Sequence, residues 1–396
     1  MFPVSENYIS KVVNLIINDL NITEGRYSLM KFEAIAQNYF GVIVPVVITG
    51  KRKENEVSLD IVLKVAPTDE RFRVSGALTQ FFAKEIYVYS TILRKYQEFQ
   101  NDMPLVMQYI MPKCYYISKE YCNEVISMQN MCKDGYQPYT QNMFLDIDHV
   151  KVALISLAKF HALSFIMREW DPKLYEETKS ICLPLSNKTN KRFMDILLDR
   201  LHKVTGIFEH SSYDLILENM RNNCAYLVES VACSVKQMCI CHGDIWKENI
   251  LFKYVDNKPI GACLIDYQTV RMASPAFDIL FLITTSTHNE LRRKYYQELL
   301  DTYYQTFIGV LNEANLDSHT LYSREMFEED LKIVAPGCFI VANTALWLSN
   351  GLQQEGHVRS KHILTTDEEK EVATNKYKSV IKNILDDFIC YGYLSL

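Results

Sequence analysis

The stretch CICHGDIWKENI, from Cys239 to Ile250, sets His242, Gly243 and Asp244 side by side and places Asn249 five residues after the aspartate. Asp266 follows seventeen residues later, at the end of an apolar run. Two short β-like stretches, Asn249–Tyr254 and Ala262–Asp266, flank an Asp256-Asn257 turn, so the spacing predicts a tight hairpin. Asn249 opens the first strand and Asp266 closes the second, and a hairpin brings those ends together. The loop before the hairpin delivers Asp244 to the same place. An amide oxygen and a carboxylate suit Mg²⁺, which takes a few hard oxygen ligands and keeps the rest of its shell for water and phosphate. Asp244 is then left to accept or orient a hydroxyl proton. These are the parts of phosphoryl transfer, where the protein supplies positioning and charge stabilisation. Asp, Asn and Gly are also ordinary turn formers at hairpin ends. Turn chemistry alone seldom gives H-G-D-x-x-x-x-N with a later strand-end aspartate.

Transfer from ATP also needs a cation on the phosphates. Lys64 stands inside the apolar strand-like run Leu59-Asp60-Ile61-Val62-Leu63-Lys64-Val65. A lone buried ammonium is costly unless paired. Glu85, beside the apolar stripe of the next helical segment, is the candidate partner. An inward Lys on a strand facing an inward Glu on the following helix is a kinase arrangement. An edge-strand Lys that snorkels to water is the alternative.

The surrounding pattern has to position these groups. Residues 6–20 have helical spacing, and three β-like stretches follow: Tyr27–Ala36, Gly41–Thr49 and Val57–Ala66. The charged segment Lys51–Glu56 turns between the last two, which predicts an antiparallel meander. Ala77–Tyr96 reads as one long helix, with Leu78, Phe81, Phe82, Ile86, Tyr89 and Leu93 on one stripe. Val125–Met128 reads as a short inner strand. From Asp146 onward the pattern is helical, with segments at Lys191–Phe208, Ser212–Met238 and a capped, acidic-started helix at Thr366–Phe388. The boundary falls near 130–140, in CKDGYQPYTQN. This predicts an α+β chain with a small β-rich part over residues 1–130 and a larger, mostly helical part over 131–396 that carries the catalytic loop and the metal site.

The length, 396 residues, exceeds what one compact core usually organises. Hydrophobic residues make up 48% and charged residues 23%, the composition of a soluble globular protein. A net charge of −6 without a Lys/Arg block argues against nucleic acid or an anionic membrane as the main partner. The 11 cysteines are odd in number and form no C-x-x-C pairs, which fits reduced thiols in the cytoplasm better than a disulfide framework or a zinc ribbon. The N-terminus lacks the signature of a signal peptide, and no continuous apolar run is long enough for a membrane span.

CHGDIWKENILF followed by LIDYQ resembles the ecdysteroid kinase-like family, also called CHK-kinase-like, which is abundant in insects and related to aminoglycoside phosphotransferases and choline kinases. The resemblance extends to Leu63-Lys64-Val65, Phe82–Tyr89, Leu157–Ala162, and Pro275 with Asp278. It implies a two-lobed protein-kinase-like fold with ATP bound between the lobes, and ATP-dependent phosphorylation of a hydroxyl on an ecdysteroid or a foreign compound, the latter a detoxification role. By the same resemblance, Asp244 is the catalytic aspartate and Asn249 and Asp266 hold Mg²⁺. Lys64 contacts the α- and β-phosphates, and Glu85 fixes Lys64. His242 and Asp278 brace the catalytic loop. Three departures stand out. The hinge reads Met128-Gln129-Asn130-Met131 where the family has Glu-Asp. The glycine loop is reduced to Gly25-Arg26-Tyr27-Ser28, in which Arg26 and Ser28 could compensate as phosphate contacts. Tyr267 replaces the commoner Phe.

Trp246 could face the acceptor or pack in the core. Trp170 and Trp347 could build a cation-binding pocket or serve as core aromatics. His161 reads as a satisfied core histidine, and Cys239 and Cys241 as buried fillers. The acceptor is left open: no acidic cluster suits an aminoglycoside, no aromatic cage for choline is evident, and the Met- and Leu-rich helices allow an apolar groove. No Ala-Pro-Glu segment follows Asp266, which argues against a protein substrate. The remaining alternative is a non-catalytic kinase-like protein that binds a ligand or partner. Nothing in the sequence specifies an oligomeric state.

Overall fold

The computed structural model describes residues 5–31, 41–70, 73–74, 78–354, 360 and 362–395. The chain packs as two compact units. The first comprises Met1–Glu98, Ile110–Tyr139 and Glu248–Thr269; the second comprises Phe99–Tyr109, Thr140–Lys247 and Val270–Leu396.

The first unit is built on an antiparallel meander of β1 (Thr23–Leu29), β2 (Val42–Arg52) and β3 (Asn55–Val65). β5 (Val125–Gln129) pairs with β3, and β4 (Cys114–Ser118) closes the edge, giving the order β1-β2-β3-β5-β4. Helix α1 (Glu6–Asp19) buries Ile9, Val13 and Ile16 in one core with Leu63 and Val65 of β3. Side chains alternate along a strand, so Lys64, between Leu63 and Val65, projects from the opposite face. The β2–β3 turn is narrower than the charged segment suggests. It is the pair Lys53-Glu54, with φ of 48° and 67°, a geometry that matches the twist of a two-residue hairpin. β1 starts before the expected Tyr27, and residues 32–36 of that expected strand lie outside the described residues.

The helix expected over Ala77–Tyr96 is interrupted; Ala77 itself lies outside the described residues. α2 (Leu78–Tyr87) passes through a π-helical turn at Val88–Ile92 into α3 (Leu93–Gln100). Such turns carry an extra residue and shift the register of the helix face. β6 (Tyr136–Pro138), β8 (Ile250–Val255) and β9 (Lys258–Leu264) form a three-stranded sheet in the order β6-β8-β9. Asp256 and Asn257 turn the β8–β9 hairpin with φ of 49° and 61°. By sequence this hairpin follows the 130–140 boundary, yet it packs with the first unit.

The second unit is helical around a two-stranded ribbon in which β7 (Cys239–Cys241) pairs with β10 (Arg271–Ala273). Its helices include α4 (Ile147–Trp170), α5 (Pro172–Ile181), α6 (Asn187–Ile207), α7 (Asp214–Asn222), α8 (Cys224–Cys233), α9 (Pro275–Ser286), α10 (Asn289–Glu313), α11 (Ser318–Tyr322), α12 (Arg324–Ser349) and α13 (Asp367–Cys390). The single helix expected over Ser212–Met238 is two. The chain breaks at Asn223, which leaves helical angles with φ of −111° and ψ of 16°, and whose side-chain amide shares the Asn219 carbonyl with its own backbone N–H. α13 starts as expected, with Thr366 and Glu369 forming a reciprocal cap. Ser274 caps α9 by accepting from the Ala276 N–H, and Pro275 takes the first helical position.

Two helical stretches, Ile147–Trp170 and Ser318–Ser349, are long and apolar enough to cross a membrane by length and composition. Within them the most apolar windows are 78% and 61% buried inside the structure, as core helices require. All eleven cysteines are free thiols.

Candidate active site

In the first unit, β3 and α2 bring Lys64 and Glu85 together. The Lys64 Nζ donates to Glu85 Oε2 at 2.6 Å and to Asp266 Oδ1 at 2.6 Å. The side chains of Lys64 and Glu85 are 2% and 1% exposed, and that of Asp266 is 15% exposed. Burial works against charge on Lys64, but Asp266 and Glu85 outweigh it and hold the ammonium above its ordinary range. Burial also pushes the Glu85 carboxyl up to about 7, against the pull of Lys64, and the Asp266 charge adds to the rise. One ammonium therefore serves two carboxylates. Gly41, at the entry to β2, is part of this arrangement: a Cβ there would stand 3.1 Å from the Lys64 side chain. A larger residue would crowd the lysine.

Asp266 sits just beyond β9 in the left-handed region, with φ of 67°. Non-glycine residues there are uncommon and worth attention. The β8–β9 register pairs Ile250 with Leu264, and the Ile265 N–H donates to the Asn249 carbonyl at 3.0 Å. The two hairpin ends that carry Asn249 and Asp266 are thus adjacent in backbone. An amide oxygen and a carboxylate beside a buried cluster with an excess of negative charge form a hard-oxygen set that fits Mg²⁺.

In the second unit, the chain leaves β7 through His242, Gly243 and Asp244. Asp278, in the first turn of α9, is fully buried and accepts from the His242 N–H at 2.6 Å and the Gly243 N–H at 2.9 Å. His161 Nε2 meets the same Oδ2 oxygen of Asp278 that accepts from His242, at 3.1 Å, and His161 Nδ1 meets the Tyr303 hydroxyl at 2.8 Å. Burial would lower the imidazole, but the bond to Asp278 prevails and raises it to about 9. Burial likewise opposes charge on Asp278, and His161 with the loop N–H groups holds its carboxyl below the usual carboxylate range. The Gly243 carbonyl is fixed in turn by Arg271, whose Nη2 donates at 2.8 Å. Gly243 has φ of 82°, a conformation that favours glycine. Asp244 follows this clamped peptide and is half-buried.

The ecdysteroid kinase-like family model matches residues 36–316, well over half of the sequence. The chain belongs to this family. Membership supports a phosphotransferase. Among solved structures, the chain is similar to an ethanolamine kinase of Plasmodium vivax at 12% identity, covering 96% of this chain and 88% of that one, with a TM-score of 0.47. It is similar to aminoglycoside 2'-phosphotransferase-IIIa at 12% identity, covering 97% and 100%, with a TM-score of 0.43. A choline/ethanolamine kinase family protein from Mesorhizobium loti matches at 10% identity over 96% and 98%, with a TM-score of 0.43. No curated protein sequence matches the chain.

Within this ecdysteroid kinase-like protein, Lys64, Glu85 and Asp266 meet directly, and Asn249 adjoins Asp266 through the hairpin backbone. Ser28 lies on β1, where its backbone pairs with Val47 and its side chain is exposed. Gly25, Arg26 and Tyr27 are likewise strand residues of β1 rather than a loop. At the hinge, the Gln129 N–H donates to the Lys113 carbonyl and the Asn130 N–H to the Asp60 carbonyl. Trp170 stacks edge-on against Phe99, while Trp347 meets Tyr377 and lies under Arg200 and Lys203, so their ring partners differ. Cys239 and Cys241 are buried, and burial pushes both thiols up. Sequence reasoning missed Gly41, Tyr303 and Arg271. The available signal for the last was a lone arginine in the otherwise apolar run Val270–Ala273.

Proposed function

We propose that this protein is an ATP-dependent small-molecule kinase that phosphorylates a hydroxyl of an ecdysteroid or of a foreign compound, working in the cytoplasm. The observation that carries this reading is the buried Lys64 ammonium shared between Glu85 and Asp266. A lysine held between two carboxylates is poised to exchange one of them for phosphate oxygens. When bound, magnesium-ATP supplies the phosphoryl group and the charge neutralisation that its transfer needs. Asn249 and Asp266 would hold the metal. Lys64 would turn to the α- and β-phosphates while Glu85 keeps its ammonium in place, and Ser28 would add a hydroxyl contact. Asp244 accepts or orients the acceptor hydroxyl proton, and the clamp on the His242–Gly243 backbone sets where that carboxylate stands.

The test is incubation of the full chain with Mg²⁺-ATP and a panel of 20-hydroxyecdysone, other sterols, plant-derived alcohols and choline. Mass spectrometry would follow any product that gains one phosphate. The expected product is a phosphorylated ecdysteroid or plant alcohol. Asp244→Ala is expected to lower turnover by about a hundred- to ten-thousandfold with ATP binding retained. Full activity in that variant would remove Asp244 from the mechanism. An absence of both product and nucleotide binding would favour a non-catalytic kinase-like binding protein.

A further inference from the structure

Gln268 sits two residues beyond Asp266, in the short 3₁₀ turn Tyr267–Thr269 of the first unit. Tyr267 anchors that turn: its hydroxyl donates to the Leu264 carbonyl at 2.9 Å, and its ring packs edge-on against Tyr89. The Gln268 amide reaches back to Asp266, where Nε2 donates to Oδ2 at 3.4 Å. An ordinary N–H···O bond is shorter, roughly 2.7–3.2 Å. The other end of the amide, Oε1, is buried and has no hydrogen-bond partner among the described residues. The residue as a whole is 5% exposed. An amide offers two N–H donors and two lone pairs, so a single long bond leaves this one poorly met at both ends. A buried acceptor in that state calls for a partner.

The charge around Gln268 says which partner. Lys64 meets Asp266 through Oδ1, so Oδ2 is the oxygen left for a cation, and Oδ2 is the one that the Gln268 amide touches. One ammonium between Glu85 and Asp266 leaves the cluster short of positive charge. Two oxygens that share an octahedral Mg²⁺ at about 2.1 Å stand about 3.0 Å apart. The 3.4 Å between Asp266 Oδ2 and the amide is within a few tenths of an ångström of that spacing. A half-turn of the amide sets its oxygen where its nitrogen stands, and the bond given up is a weak one. A neutral oxygen also adds a ligand without adding a third carboxylate to a cluster that already holds two.

We propose that Gln268 is a third protein ligand of the divalent cation, presenting Oε1 to it beside the oxygens of Asp266 and Asn249. The proposal rests on the kinase reading above and adds a residue to its metal site. A role confined to holding Asp266 in place would keep the N–H of Gln268 on Oδ2 and its oxygen away from the metal.

The experiment uses Mn²⁺, a paramagnetic cation that takes the same hard oxygen ligands, added to the full chain alone and with a non-hydrolysable ATP analogue. The chain is made by cell-free synthesis with glutamine isotopically labelled at the side-chain carbonyl carbon. Electron–nuclear double resonance is expected to show Mn²⁺ coupled to one labelled carbon, and Gln268→Met is expected to remove that coupling. The same substitution is expected to weaken Mn²⁺ binding about tenfold or more. Gln268→Glu, which keeps an oxygen and loses the N–H donor, is expected to bind Mn²⁺ at least as tightly as the wild-type chain. Mn²⁺ bound to the labelled chain without a carbon coupling, undiminished binding in Gln268→Met, or no Mn²⁺ binding under either condition would overturn the assignment. If ATP is still turned over in that case, the kinase reading survives alone. If the coupling is present and lost in Gln268→Met, but the chain neither binds the analogue nor turns over ATP, the metal ligand stands and the kinase reading falls.

Discussion

The cluster around Lys64 and the clamp around Asp278 are both buried, and each centres on one charged group. They differ in how that charge is met. Lys64 is one ammonium between two carboxylates, and burial still pushes Glu85 up to about 7. Asp278 is one carboxylate met by an imidazolium and two backbone N–H groups. The first cluster is short of positive charge, whereas the second is saturated. Unbalanced buried charge is a mark of a site that expects a ligand, and balanced buried charge is a mark of architecture.

That contrast can be broken by experiment. The largest effect is expected from Asp278→Ala, which leaves His161 buried without its counter-ion and two loop N–H groups without their acceptor. Urea unfolding of the full chain should show a loss of about 3–5 kcal/mol. A loss below about 1 kcal/mol would show that the clamp is not the balanced element described here.

The next effects separate the two regions by pH. His161 is raised from 6.5 to about 9 in the folded chain, so its contribution is complete below 6.5 and is lost as the pH rises through 9. Glu85 is raised from 4.5 to about 7, so its contribution is complete below 4.5 and is lost as the pH rises through 7. Each full span corresponds to roughly 3 kcal/mol. Unfolding midpoints measured from pH 4 to 9.5 should lose the upper slope in His161→Gln and the lower slope in Glu85→Gln. A variant that flattened both windows would mean the regions titrate as one.

The smallest effect is the most specific. Magnesium at about ten times its dissociation constant should stabilise the wild-type chain by roughly 1.4 kcal/mol. Asp266→Asn should abolish that gain, and Asp278→Asn should leave it. Differential scanning calorimetry with and without the ion measures both. Equal stabilisation of all three proteins would place the metal elsewhere.

Much of this arrangement was legible in the residues. The β-rich beginning and helical remainder follow from period-2 and period-3.6 apolar patterns, and the hairpin ends at Asn249 and Asp266 follow from two short apolar runs around Asp-Asn. Lys64 and Glu85 betrayed themselves as charges embedded in apolar periodicity. What the sequence concealed is non-local or irregular. The second partner of Lys64 is Asp266, 202 residues away, and no local spacing encodes that contact. The π-turn at Val88–Ile92 falls inside an apolar pattern that reads as continuous helical spacing, so one long helix is the natural reading of the residues. The break at Asn223 is one residue's departure from helical angles, which apolar spacing does not record. Arg271 looked like an ordinary arginine until the fold set its guanidinium against Gly243 and an apolar wall.

The first unit draws its last strands from Glu248–Thr269, after the whole of Thr140–Lys247 has been made. During synthesis the five-stranded sheet, whose strands end at Gln129, can therefore form while β6 still waits for a late hairpin. At about 5–20 residues per second the intervening segment takes on the order of ten seconds to appear. Throughout that interval Lys64 and Glu85 exist without Asp266, and β6 lacks β8. A nascent chain stalled before residue 248 is left with the short strand β6 unpaired, backbone groups that a chaperone can engage. Fragments cut near residues 130–140 keep the five-stranded sheet but leave Lys64 without Asp266, so restoring that cluster calls for the hairpin to be supplied in trans.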